Sequence, residues 1–391
     1  MSDPLSRDSI ASLAQALVRI PSVNPAIAPD EAHGERAVSE FACAWLNDHG
    51  VRAWVDEVQP GRTNVVGEVV GGPGPTLVLC AHLDTVGTAQ MTIPPFEPTI
   101  EGDRLYGRGS YDMKGAAAAA MCAGAALAKT PFPGKLLLSL VADEEYASIG
   151  AADFVARYPA DACILTEASD LELVLAHKGF VWSEITARGR AAHGSRWDLG
   201  LSAIGKMGEV ICALERFDRD TLRKRRHPLV GPASMHCALI SGGAGLTTYS
   251  PECVLKTERR TLPGETADQV LAELRAVAGG AADGVEVRNL FDRLPHTCDR
   301  DEPIAQCLRR AAETVTGKTP GEIGVAYWMD AALFGAAGIP TVDYGPSGAG
   351  AHEPVEWVDL ASLEACAKVY AETARTLHQV FAAAKRRSRG A

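Results

Sequence analysis

The sequence predicts an α/β fold, a doubly wound, mostly parallel sheet forming a catalytic domain, with an inserted α+β lid/dimerisation domain. Apolar runs bounded by turn signals, "TLVLC", "KLLLSLVA" and "ACIL", recur through the first part of the chain, as buried strands do. Helical segments lie between them, and strands alternating with helices imply parallel pairing with helices on both faces. From about Phe180 the texture changes to the alternating "FVWSEITARGR" and then to a strand-helix-strand-strand-helix-strand order ending near "GVEVRNL". That order is the plan of a compact α+β unit.

Taken along the chain, "ERAVSEFACAWLNDHG" places Val38, Phe41 and Trp45 on one helical face, and Gly50 supplies the stop. The run "GAAAAAMCAGAALA" reads as a tightly packed helix. Within the insert, helices are expected from about Leu201 to Leu214 and from about Ala267. Helix-strand texture returns around Thr297, and "IPTVDYG" is one more core strand. The domain plan is therefore 1–179 and 295–391 for the catalytic part and 180–294 for the insert. "VTGKTP" ends like a phosphate loop, but Ala312 stands where the first glycine belongs.

The 391 residues, 47% hydrophobic, suffice for a large core and favour two domains over one. Lys+Arg 38 against Asp+Glu 49 gives a net charge of -11, which repels phosphate backbones and anionic lipid and argues against nucleic acid or membrane as a general partner. The tail "AKRRSRGA" reads as a solvated terminus. "MSDPLSRDSI" lacks the basic start and apolar stretch of a secretion signal, and no segment approaches the ~20 apolar residues of a membrane span, so a cytoplasmic location is expected. Ten scattered cysteines form no CxxC pair and read mostly as small buried hydrophobes. Any metal must be held by histidine and carboxylate.

Ligands of open parallel sheets gather beyond the carboxyl ends of the strands. There this sequence delivers His82 and Asp84, then Asp143, Glu144 and Glu145, then Glu167, with His352 after the last strand and Asp112 at a helix entrance. A lone Asp112 would be an N-terminal cap, and a lone His82 hydrogen-bonded filler. Three consecutive acids directly after an apolar strand, however, are costly to bury without a cation. Imidazole and carboxylate without thiolate suit Zn, and also Mn or Co. His82, Asp112, Glu145, Glu167 and His352 exceed the needs of one open zinc site and fit two ions about 3.5–4 Å apart that share a carboxylate and activate a bridging water. Glu144 is then free as general base.

"AHLDTV", "YGRGSYDMKGA", "ADEE", "GRAAHGS", "ERRTLPGE" and "GP…GAHEPVEWV" resemble, in order, the blocks of the dinuclear zinc amidohydrolases and metallopeptidases that include acetylornithine deacetylase, succinyl-diaminopimelate desuccinylase, aminoacylase and glutamate carboxypeptidase. The resemblance spans residues 77 to 358. It implies that one zinc binds His82 and Glu167, the other Glu145 and His352, and that Asp112 bridges them. Asp84 would take the second N–H of the His82 ring and fix its tautomer. The insert would be a lid and dimerisation domain, with His193 reaching into the partner subunit's site to stabilise the oxyanion. Without the resemblance, His193 is an exposed loop histidine. Arg260 matches the arginine that clamps a substrate carboxylate, and Arg259 beside it reads as surface.

Two departures touch substrate identity. Where the family often has asparagine before a proline, this chain has "GGAGLTTYSPE", leaving Thr248 or a neighbour in that place, and Trp197 replaces a frequent proline after "HGSR". Tyr327 and Trp328 line a pocket or pack the core. The implied activity is hydrolysis of the amide of an N-acyl amino acid by a homodimer. Glu167 rather than aspartate resembles the deacylases and carboxypeptidases. The alternatives are a carboxypeptidase or dipeptidase acting on a short peptide and, from another class, a non-catalytic metal-binding relative, which loss of a ligand or of the base would have favoured; none is lost. The acyl group, the side chain and the physiological metal are not written in these motifs.

Overall fold

The structure, a computed structural model, describes residues 3–388, with side chains through 384, so the basic tail from Lys385 on lies outside the described side chains. The chain divides into two compact units, the first formed by Met1–Leu175, Cys298–Ile323 and Met329–Ala391, the second by Ala176–Thr297 and Gly324–Trp328. The elements used below begin with α1 (Arg7–Val18), α2 (Arg36–Asp48), β1 (Arg52–Gln59), β2 (Arg62–Val70), β3 (Thr76–His82), α3 (Gly115–Leu127), β4 (Lys135–Val141), α4 (Ile149–Arg157), β5 (Ala162–Leu165) and β6 (Leu173–His177). The second unit supplies β7 (Gly179–Arg188), α5 (Ala203–Asp220), β8 (Ser234–Gly242), β9 (Glu252–Thr261), α6 (Ala267–Ala281) and β10 (Val285–Arg293). The first unit closes with α7 (Pro303–Thr316), α8 (Ala331–Ala336), β11 (Thr341–Asp343) and α9 (Leu360–Ser388).

The first unit's sheet runs β1-β2-β4-β3-β5-β11-β6. Its centre is parallel: β4, β3, β5 and β11 pair in one direction. The hairpin β1–β2 joins antiparallel to β4, and β6 pairs antiparallel with β11. Continuous apolar runs suit strands covered on both faces, and β3 is buried from Leu77 to His82. Every residue of α3 is buried, and its many Ala and Gly residues let the helix pack closely on α1 and α9. In α2 the buried stripe is Val38, Ala42 and Leu46, at the spacing of one helix face. Phe41 and Trp45 lie beside it half-buried, Trp45 stacked on His49 with centroids 3.8 Å apart. The "GKT" glycine, Gly317, closes α7 at φ 73, a left-handed cap.

The second unit's sheet is antiparallel throughout, in the order β8-β9-β7-β10. Val181, Ile185 and Ala187 of β7 and Leu255 of β9 face Met207, Val210 and Leu214 of α5 and Val270 and Leu274 of α6. Helix α5 continues to Asp220, one and a half turns past the expected end. Its last turns are tied down by buried Asp218, which accepts from Met235 N (2.8 Å) and Arg223 Nε (2.7 Å). Arg259 is not on the surface, as its sequence suggested, but fully buried. Alternation along β9 turns it to the helix side, where Glu265 Oε1 (2.7 Å) and the carbonyl of Arg260 accept from its guanidinium. Seven of the ten cysteines are buried and all are free thiols. No helix among the described residues is long and apolar enough to cross a membrane.

Gly345, just beyond β11, lies so close to the carbonyl oxygen of Glu167 that a Cβ would overlap it. Gly345→Ala is expected to destabilise by about 1–3 kcal/mol and to displace Glu167. A lowered Tm with weakened metal uptake is the expected result in thermal unfolding and metal titration.

Candidate metal and catalytic centre

The carboxyl ends of β3, β4 and β5 deliver His82, the 143–145 turn and Glu167, as parallel pairing in register requires. His82 Nε2 lies 2.9 Å from Asp112 Oδ1 and 3.6 Å from Glu167 Oε1. His352 Nε2 lies 3.2 Å from the other oxygen of Asp112 and 3.0 Å from Glu145 Oε2. Asp112 thus turns one oxygen to each histidine. All five sequence-predicted ligands come together in the first unit. Ligand atoms of His82, Asp112 and Glu145 lie within 4.8 Å of one another, as do those of His82, Glu144 and Glu167. Glu144 thus groups with Glu167, and Glu145 with Asp112, around the shared His82.

Four carboxylates in so small a volume are electrostatically strained. Two like charges 4 Å apart repel by about 4 kcal/mol at an effective dielectric of 20. Burial raises Glu145 to about 7 and Glu167 to about 8, and drives Glu144 well above the carboxylate range, with neighbouring carboxylates adding to each shift. Burial also opposes the charge on Asp112, but hydrogen bonds from His352 and His82 hold it below its ordinary value. Hydrogen bonds donated to Asp112 first and to Glu145 second raise His352 to about 10. His82 is raised as well, although burial alone would lower it. Among the described residues Glu145 Oε1 is buried with no hydrogen-bond partner. A divalent cation answers all of this by replacing the protons and giving that oxygen a partner, so the residues fit a metal centre.

One sequence expectation changes. The His82 ring Nδ1 lies 2.9 Å from the main-chain oxygen of Asp84, with the Asp84 carboxylate 3.6 Å away. That carboxylate instead accepts from Glu144 N (3.1 Å), Glu145 N (3.2 Å) and Asn24 Nδ2 (2.7 Å). Residue Asp84 still orients the ring, but through its carbonyl, because its side chain is occupied in holding the neighbouring turn. Asp143, at φ 70, anchors that turn from below. Its carboxylate accepts from Asn24 Nδ2 (3.0 Å), Arg62 Nη2 (2.8 Å) and Ala147 N (3.2 Å), while Arg62 also grips buried Glu35.

Sequence reasoning missed Asn24, Arg62 and Glu356. Glu356 is fully buried and accepts from Arg108 Nη1 (2.7 Å) and from the main-chain N–H groups of Gly109 (3.0 Å), Tyr111 (2.9 Å) and Asp112 (3.0 Å), fixing the loop that carries Asp112. The one available signal was an acid set between apolar neighbours in "PVEWV". Beside His352 opens a cavity of about 480 Å³, lined also by Ile27, Ala28, Val86, Gln90 and Arg108.

His193 and Arg260 belong to the second unit. His193 is exposed, with Nδ1 2.9 Å from Ser195 Oγ, and its main chain bridges to Thr248. Trp197 is 80% exposed. Arg260 projects from the sheet face opposite the helices, Nη2 2.8 Å from Glu258 and the guanidinium 5.5 Å from the Phe180 ring. Trp328 packs on the same aromatics and donates from Nε1 to the carbonyl of Leu294 (3.0 Å), while Tyr327 is half exposed.

Fold and site together define a metallohydrolase. The profile of peptidase family M20/M25/M40 matches residues 78–376, and the chain belongs to that family. Acetylornithine deacetylase of Vibrio atlanticus (strain LGP32) is 28% identical over 359 residues, covering 89% of this chain and 93% of that protein. Acetylornithine deacetylase of Proteus mirabilis (strain HI4320) is 30% identical over 374 residues, with 90% and 92% covered. Among solved structures, a dinuclear metal-binding M20 peptidase from Bacillus subtilis superposes with a TM-score of 0.76 at 16% identity, covering 96% of this chain and 99% of that one. The M20 metallo-carboxypeptidase of Sulfolobus solfataricus gives 0.76 at 18% identity, covering 97% and 100%.

The raised acids set a pH dependence. In metal-free protein the folded state holds protons on Glu145 and Glu167 that the unfolded chain has released, so stability falls as pH rises from about 5 to about 8. The raised histidines act in the same direction, and depressed Asp112 matters only at lower pH. Chelated protein should therefore lose Tm over that interval, while metal restores it and releases protons, read by calorimetry in buffers of different ionisation enthalpy. A Tm independent of pH would contradict this charge assignment.

Proposed function

We propose that the chain is a dinuclear zinc deacylase that hydrolyses the amide of an N-acyl amino acid to a carboxylic acid and a free amine. The observation that carries this reading is Asp112, whose two oxygens face two histidines with a glutamate beside each. That pattern supports one ion on His82 and Glu167, a second on Glu145 and His352, and Asp112 shared. Zinc suits the donors, with cobalt or manganese as substitutes. Bound metal would polarise the amide carbonyl and lower the pKa of water toward about 7.

The protein's own residues do the rest. Glu144, buried beside His82 and Glu167, would be ionised once cations offset the neighbouring carboxylates; it then accepts a proton from the attacking water and delivers it to the leaving nitrogen as the C–N bond breaks. Asp84 holds the Glu144 main chain in place. The cavity beside His352 has room for a small acyl group. Arg260 binds the substrate carboxylate through donors left over from its pairing with Glu258.

We assign the second unit the roles of lid and dimer contact. Its edge strand β8, which among the described residues pairs with a strand on one side only, exposes Leu239 (65%) and Ile240 (58%), a surface suited to pairing with a second copy. His193, exposed on its loop, would then supply an oxyanion donor to the partner's site. A cytoplasmic enzyme acting on a small molecule is consistent with the acidic charge. The same machinery serves a peptide bond, so products from N-acyl amino acids and from dipeptides separate a deacylase from a carboxypeptidase or dipeptidase.

Glu144→Ala should retain metal by elemental analysis while amide hydrolysis falls by about 10²–10⁴; preserved turnover would remove Glu144 as the base. His193→Ala mixed with Glu144→Ala should regain activity if sites are shared across a dimer. Absence of rescue in verified mixed dimers counts against sharing.

A further inference from the structure

The sheet face of the second unit that points away from α5 and α6 carries an aromatic surface bordered by two arginines. Alternation places Phe180 and Trp182 of β7 there. Register sets Arg260 of β9 opposite Phe180 on one side, and Arg293 and Phe291 of β10 opposite Phe180 and Trp182 on the other. The rings form a continuous group: Phe180–Trp182 centroids are 5.1 Å apart, Phe180–Phe291 5.9 Å and Trp182–Phe291 5.6 Å, with Trp328 edge-on to Phe180 at 6.3 Å. Arg260 lies 5.5 Å from the Phe180 ring and Arg293 4.2 Å from the Phe291 ring. Trp182 remains 40% exposed.

We propose that this surface selects N-acyl amino acids with an aromatic or bulky apolar side chain. This rests on Arg260 as the carboxylate clamp of the proposed deacylase. In such a substrate the carboxylate and the side chain hang from one carbon, which keeps carboxylate and ring close together, and the Arg260 guanidinium lies 5.5 Å from the ring opposite it in register, Phe180. The carboxylate meets the cation while the ring packs against Phe180 and its exposed neighbour Trp182, which Phe291 backs at 5.6 Å, an arrangement aromatic pairs favour. A side chain ending in an ammonium group would have to compete with Arg260 and Trp182 for the carboxylate of Glu258 (2.8 Å from Arg260 Nη2 and 3.4 Å from Trp182 Nε1), and would otherwise meet guanidinium groups and apolar rings, which disfavours it through repulsion and lost hydration. This chain's preference therefore differs from the substrate in the names of its acetylornithine deacetylase relatives.

The experiment compares zinc-loaded enzyme on N-acetyl-L-phenylalanine, N-acetylglycine and N-acetyl-L-ornithine. The expected kcat/KM for N-acetylphenylalanine exceeds that for N-acetylornithine by about tenfold or more. Trp182→Ala and Phe291→Ala should collapse the ratio of phenylalanine to glycine substrate through KM, and Trp182→Phe should restore it because the stacked ring is kept. Preference for N-acetylornithine overturns the inference and leaves the deacylase reading intact. Failure to hydrolyse any of the three overturns the deacylase reading. Binding then decides the surface by itself: N-acetylphenylalanine should change the tryptophan fluorescence of Glu144→Ala protein, an effect lost with Trp182→Ala added, and no change in either protein overturns the inference.

Discussion

The centre depends on an electrostatic imbalance. The ends of three parallel strands and one helix entrance bring four carboxylates to two histidines in a region mostly closed to water, where like charges cannot all persist. Protons compensate when no cation is bound: the histidines are held charged and Glu144, Glu145 and Glu167 resist ionisation. Placement of those groups follows from backbone geometry. Once β3, β4 and β5 lie parallel and in register, His82, the 143–145 turn and Glu167 must emerge along one edge.

Much of that edge was legible because each strand is an apolar run ending abruptly in acids or a histidine, and burial makes such endings conspicuous. What the sequence did not reveal lies in contacts made with the main chain. Glu356 works by accepting N–H groups of the Asp112 loop, and Asn24 by bridging Asp84 and Asp143. Any acid or amide at those positions looks the same in one sequence. The Asp84 exchange has the same origin, since carbonyl and carboxylate belong to one residue and only the folded chain shows which faces the ring.

The second unit shows both the reach and the limit of periodicity. Alternation in "FVWSEITAR" correctly separates a helix-covered face from an open one. Applied to "ERRTLPGE", the same alternation puts one arginine inside and one out, and charge alone suggested the reverse weighting for Arg259. A guanidinium enters a core when an acid already there can match it, as Glu265 does. On the open face, the pairing of β7 with β10 turns scattered aromatics into neighbours, a relation residues more than a hundred positions apart do not advertise.

The 143–145 turn has one more implication. Arg62, Asn24 and Ala147 secure Asp143, and Asp84 secures the two glutamate N–H groups, entirely through protein groups. None of these anchoring groups comes from a candidate metal ligand, so presenting the turn and ligating an ion are separate tasks here. A substitution at the Glu145 side chain can therefore remove a donor while leaving in place the main chain that presents Glu144.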